Sequence, residues 1–207
     1  MKKFLTVLLL SVMALTFAAC GNDKAEEAAI SRGTTTETAY ENEFVGIGWK
    51  LLDGWTFATK SQMEQMNQAV LEMLEGDIDK NLAEGSIFCD LYSQDISGSN
   101  INIQFEKLNT VNSILVTEDS YLELSLDNLK KTYESMGYTD VSLSLTTIKI
   151  GDNEQPGLTS SCTYQGVTVY QKIAVIKQGN YMCIITASSL TEAQNDAILA
   201  SFYTLSK

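Results

Sequence analysis

Apolar positions recur along this chain with two different periods, and each change of period marks a new element. In "INIQFEK", Ile101, Ile103 and Phe105 alternate with Asn102, Gln104 and Glu106, the two-residue period of a strand with one buried and one wetter face. In the segment 120–137, Leu122, Leu126, Leu129, Tyr133 and Met136 repeat at helical spacing, Ser120 and Glu123 have the spacing of a capping box, and Gly137 is placed to end the helix. An earlier helix starts at the Ser61 and Glu64 pair and carries Met63, Met66, Val70, Met73 and Leu74 on one face as far as Gly76. This methionine-rich stripe reads as the core face of a helix. A last helix opens at Thr191 and Gln194 and turns Ala197, Ile198 and Phe202 inward.

The strands lie between these helices. "EFVGIGWKLLDGWTFA" has apolar residues on both sides of Asp53-Gly54, which predicts a hairpin. "SIFCDLYSQ" and "INIQFEKL" are separated by the turn-forming "DISGSN". From Val141 the chain reads as a meander in which "VSLSL" alternates cleanly, then slips in phase at Thr146-Thr147, predicting a bulge or bend there. "IAVI" and "CIIT" are apolar on both faces, so their strands are expected mid-sheet with both sides covered. Two-residue turns at Gln165-Gly166 and at Gln178-Gly179 or Gly179-Asn180 would set Cys162 against Val169 and Cys183 against Ala174 or Ile176, on opposite faces and too far apart for a disulfide. Cys89, Cys162 and Cys183 are therefore read as small apolar residues of strands.

This order of elements, with the "WKLLDGW" hairpin, the polar joint "TKSQMEQ" and the closing "TEAQNDAILASF" helix, resembles the PsbP-like fold. That fold is an α+β architecture, an antiparallel sheet sandwiched between helices, and it occurs in a photosystem extrinsic protein, a Ran-binding import factor and many small bacterial lipoproteins. The resemblance covers residues 44–207 and carries over no functional residue. It implies a binding or accessory role without catalysis, since one scaffold serves many tasks.

The start of the chain adds an address. Lys2 and Lys3 precede the uncharged "FLTVLLLSVMALTF", which is too short to span a bilayer comfortably, and Ala18 and Ala19 supply the small residues a signal peptidase accepts. "FAAC" followed by "GN" resembles the lipobox of bacterial lipoproteins, with Phe17 where leucine is usual. The resemblance implies cleavage after residue 19 and lipid attachment through Cys20. Residues 1–19 are thus expected to be a signal peptide. Residues 20–43, rich in Thr, Glu and Ala, are expected to be a lipidated flexible tether, and residues 44–207 one domain. The expected location is the outer, extracytoplasmic face of the cell membrane.

Charge and chemistry narrow the function. The formal charge of -12 becomes -14 once Lys2 and Lys3 are removed, which argues against nucleic acid as a partner. The chain has no histidine, so Ser-His and Cys-His nucleophiles are excluded, and it has no Ser-x-x-Lys and no glycine-rich phosphate loop. "DIDKN", residues 77–81, starts like a calcium loop but has Leu82 at the glycine position and Phe88 where the bidentate glutamate belongs. No metal or cofactor is expected. The expected role is a binding or accessory module, not an enzyme, for an extracytoplasmic protein or small ligand. The alternatives are a structural envelope component and a histidine-independent hydrolase. Trp49 and Trp55, flanking the predicted turn, read either as core lids or as an aromatic platform, and they are the candidate binding residues.

Overall fold

The computed structural model describes residues 30–73, 87–108 and 110–206. The expected signal peptide with Cys20 and the acidic segment 77–81 lie outside the described residues, as do Leu74, Gly76 and the side chains of Val70 and Met73.

The chain is an α+β fold built on two antiparallel sheets. The small sheet has the order β1 (Thr34–Thr35), β2 (Ala39–Asn42), β3 (Ile47–Lys50), β11 (Phe202–Thr204). The large sheet runs β4 (Thr56–Phe57), β5 (Ile87–Gln94), β6 (Asn100–Lys107), β10 (Tyr181–Ser189), β9 (Val167–Gln178), β8 (Asn153–Tyr164), β7 (Thr139–Ile150). The described helices are α1 (Lys60–Met73), α2 (Thr110–Leu115), α3 (Glu118–Ser135) and α4 (Glu192–Leu199).

Two cores hold the layers together. On one side of the large sheet α3 lays Leu122, Leu129 and Tyr133 against Ile173 and Ile184. On the other side the small sheet and α4 bury Trp49, Phe202 and Ile198 against Phe105, Ile103 and Ile185. The strands "IAVI" and "CIIT" do lie mid-sheet, and every residue of β10 is buried. Their second cover is mainly another sheet rather than helices alone.

Several expectations change at their edges. Residues 34–42, expected in the tether, form β1 and β2, and Tyr40 is fully buried. Asp90 is the reason: its Oδ2 accepts from the Gly33 amide (2.7 Å), the Tyr40 hydroxyl (2.7 Å) and Asn42 Nδ2 (3.0 Å), fastening this polar segment to β5. Asp53-Gly54 does turn, with Gly54 at φ +79, yet it makes no hairpin. β3 pairs with β2 and β11, whereas β4 pairs with β5, so the turn hands the chain from one sheet to the other.

The helix starts shift by two or three residues. The cap of α1 is Thr59, whose hydroxyl accepts from the Gln62 amide while Gln62 Oε1 accepts from the Thr59 amide. The cap of α3 is Thr117, paired with Ser120. In both, a threonine two or three residues upstream supplies the oxygen, because the Ser already lies within the first helical turn. Thr191 caps α4 as expected, but α4 stops at Leu199 and Phe202 turns inward from β11, opposite Trp49.

The phase slip in β7 is not a bulge at Thr146-Thr147. Leu143 packs toward α3, Ile148 and Ile150 toward the small sheet, and the strand runs straight while its buried face changes along its length. The register irregularity falls earlier, between Thr139 and Ser142. Cys162 lies opposite Val169 and Cys183 opposite Ile176, and Cys89, Cys162 and Cys183 are all free and buried.

Candidate functional site

The tryptophans do not form a platform. Trp49 is 0% exposed, its Nε1 donates to the Ile198 carbonyl at 3.0 Å, and its ring meets Trp55 and Phe57 edge-on at 5.8 and 6.1 Å. Trp55 is half-buried against the same core. The cause is the sheet change at Asp53-Gly54: it folds Trp55 back over Trp49 and closes the core where the two layers part.

The thiols offer no nucleophile either. Burial pushes Cys89 up to about 12 and Cys162 up to about 11, and raises Cys183 further, so each stays a thiol at neutral pH. Among the described residues no group of three His, Cys, Asp or Glu side chains is placed to hold a metal ion.

What the fold leaves open is a shelf on the large sheet. The small sheet has four short strands and reaches only the Ile148 and Ile150 end of β7, so beyond it, among the described residues, only α4 flanks the same face of β7, β8 and β9. Two cross-strand rows lie on that face: Ser144, Thr159 and Lys172, then Ser142, Ser161 and Tyr170. Helix α4 forms its wall. Asn195, fully buried, donates from Nδ2 to the Tyr170 carbonyl at 2.9 Å and accepts from Ser189 Oγ at 2.8 Å, which rivets the helix to β9 and β10. Lys172 reaches across to pair with Asp196 on the exposed side of α4. Hollows of about 370 and 180 Å³ lie on either side of Lys172.

The shelf is chemically uniform. Its hydroxyls both donate and accept, Tyr170 adds an aromatic surface, and the charged groups around it are Lys149, Lys172, Asp196 and Glu192. Such a surface can hold a polar partner by hydrogen bonds. In "VSLSL" the alternation of Ser142 and Ser144 with apolar residues was visible in the sequence and placed these two hydroxyls on one strand face, whereas "TSSCTY" breaks the alternation at the buried Ser160. That this face stays open follows from the reach of the small sheet, which no local pattern encodes.

A second polar group on the large sheet is closed. Asn102, Gln104 and Glu106, expected on a wetter face, are buried beside Thr186. Glu106 accepts from the Tyr121 hydroxyl at 2.5 Å, which with burial raises Tyr121 well above its ordinary value. Among the described residues, both polar atoms of Asn102 and of Gln104, with Asn100 Oδ1 and Thr186 Oγ1, have no hydrogen-bond partner.

No protein-family model matches this chain, and no curated protein matches it. Among solved structures it is similar to a protein of Bacteroides thetaiotaomicron, at 12% identity and a TM-score of 0.41, over 82% of this chain and 49% of that one, so it spans about half that protein's length. It is also similar to LpqN, involved in cell envelope biogenesis of Mycobacterium tuberculosis, at 11% identity and a TM-score of 0.40, over 77% of this chain and 83% of that one.

Proposed function

We propose that the chain is an extracytoplasmic lipoprotein, held to the cell membrane through lipid on Cys20, whose domain serves as a binding or accessory module without catalysis. The shelf of β7, β8 and β9 beside α4 is its binding surface, in place of the Trp49 and Trp55 surface expected from the sequence. The observation that carries this is the uncovered half of one sheet face furnished with six hydrogen-bonding side chains and walled by a helix riveted through Asn195. The anchor rests on the lipobox-like "FAAC" at 17–20. Two acyl chains hold a protein durably where one binds only marginally. Confinement to a surface raises effective concentration, so a weak contact at the shelf is enough.

Two measurements test the two halves. Cys20→Ala should take up no fatty-acid label and remain uncleaved or be aberrantly cleaved; labelling at the parent level overturns the anchor. A photo-reactive residue at Thr159 on the shelf should give a discrete adduct in intact cells, while one at Asp127, exposed on α3, should not. Equal adducts at both positions overturn the shelf.

A further inference from the structure

The fold has four outer sheet strands, and three of them are short: β1 and β4 have two residues and β11 has three. The outer side of β5 that β4 leaves free is covered by α1, where Asn67 Nδ2 donates to the Cys89 carbonyl at 3.2 Å and Asn67 Oδ1 accepts from the Cys89 amide at 2.6 Å. Short edges, covered edges, charges and prolines are how sheets avoid pairing with other chains. Among the described residues β7 has none of these from Ser142 to Ile148, its one register irregularity lying before that stretch, between Thr139 and Ser142. It is 12 residues long, it ends the large sheet, and from Val141 to Ile148 it carries no charge, no proline and no glycine. Leu145 on this strand is 46% exposed although it stands beside the fully buried Leu158.

The geometry points to β7 as the site where a second copy of this chain adds on, antiparallel and edge to edge, to give one continuous fourteen-stranded sheet. Self-pairing is favoured by the strand's own symmetry. Centred on Ser144, the pairing sets Ser144 against Ser144 of the second copy, Ser142 against Thr146 and Leu143 against Leu145, so hydroxyls meet hydroxyls and the exposed leucine gains an apolar partner. The charges at the two ends are opposite, Asp140 at one and Lys149 at the other, and antiparallel pairing brings the Lys149 end of each copy to the Asp140 end of its mate. Such a contact is isologous and closes at two copies. It also joins the Ser142 and Ser144 rows of both molecules on one face, doubling the hydroxyl surface. The inference stands on the edge alone and does not depend on the anchor or on the shelf's ligand.

Cross-linking in the full chain tests it. Cys89, Cys162 and Cys183 are buried, so Ser144→Cys supplies an accessible thiol, with the parent chain as baseline. Residues directly opposite in an antiparallel pair have Cα atoms roughly 4.5 to 5.5 Å apart, within disulfide reach. Mild oxidation of whole cells carrying Ser144→Cys should give a band at twice the chain's mass, which Leu145→Lys in the same chain should abolish and which Asn128→Cys, on the exposed face of α3, should not give. No band from Ser144→Cys, an equal band from Asn128→Cys, or an adduct of Ser144→Cys with a different protein overturns the pairing. Sedimentation of the purified full chain in detergent is the second readout: a monomer-dimer equilibrium supports the proposal, and a monomer at every concentration or an open-ended aggregate overturns it.

Discussion

The least expected single residues are Asn102 and Gln104, amides shut into the large sheet with no partner among the described residues for any side-chain polar atom. A buried polar group without a partner costs about 1–3 kcal/mol, whereas an apolar group of similar shape costs nothing there. Asn102→Leu should therefore raise the midpoint of denaturant unfolding, and a loss of more than about 1 kcal/mol would mean the amide is engaged by something that the unpartnered geometry excludes. The tyrosines make a second prediction at this scale. Burial pushes Tyr92 and Tyr138 up to about 12 and raises Tyr40 and Tyr121 further, with Asp90 and Glu106 adding to the last two. In the unfolded chain a tyrosine ionises near pH 10, so above that pH the unfolded state binds fewer protons than the folded one. Stability from these phenols is whole below pH 10 and should fall as pH rises from about 10 to 12. Unfolding midpoints measured across that window check it; an unchanged midpoint, with all phenols ionising near pH 10, would show that they are exposed.

At the scale of elements, α3 has the clearest local grammar. Thr117 caps it, Leu122, Leu129 and Tyr133 face the sheet, and Gly137, at φ +88, ends it. Leu126 is only half-buried, at the rim of the same stripe. Leu129→Ala should cost about 2–5 kcal/mol, and Leu126→Ala clearly less, because the cost follows the cavity left behind. Equal losses in denaturant melts would mean that the two leucines share one environment. The loop between β7 and β8 depends on Gly151, which sits at φ +60 with space for a Cβ closed by Thr204 Oγ1 at 2.7 Å and the Thr204 amide nitrogen at 2.8 Å. A glycine is required there twice over, by its dihedral and by the approach of β11.

The whole molecule is set by how much each layer covers. Trp49 joins β3 to α4 through the Ile198 carbonyl and holds the small sheet over the large one. Tryptophan fluorescence should accordingly resolve into one indole shielded from a soluble quencher and one, Trp55, partly reached; quenching of both would unseat Trp49 from the core. The same coverage shapes the two proposed surfaces. Where the small sheet ends, the shelf opens, and no described helix or loop pairs with the outer edge of β7.

Much of this was legible in order along the chain. Helix caps at Thr191 and ends at Gly137, the turns at Gln165-Gly166 and Gly179-Asn180, and the register that separates Cys162 from Cys183 all depend on neighbours a few residues apart, and hydrophobic period and turn dihedrals report on such neighbours directly. The choices that were not legible involve partners far apart. Asp53-Gly54 encodes a turn but not which sheet receives the next strand; residues 34–42 look like a tether until Asp90, about fifty residues on, supplies their missing partner; Trp49 reads as surface or core until Ile198 is brought to it. A local sequence sets dihedrals and which side chains share a face, at a cost paid within one turn or one strand. Which of those faces meets another layer, and which is left to water or to a partner, depends on the burial of the whole chain at once, because that free energy is realised only when distant segments close on each other.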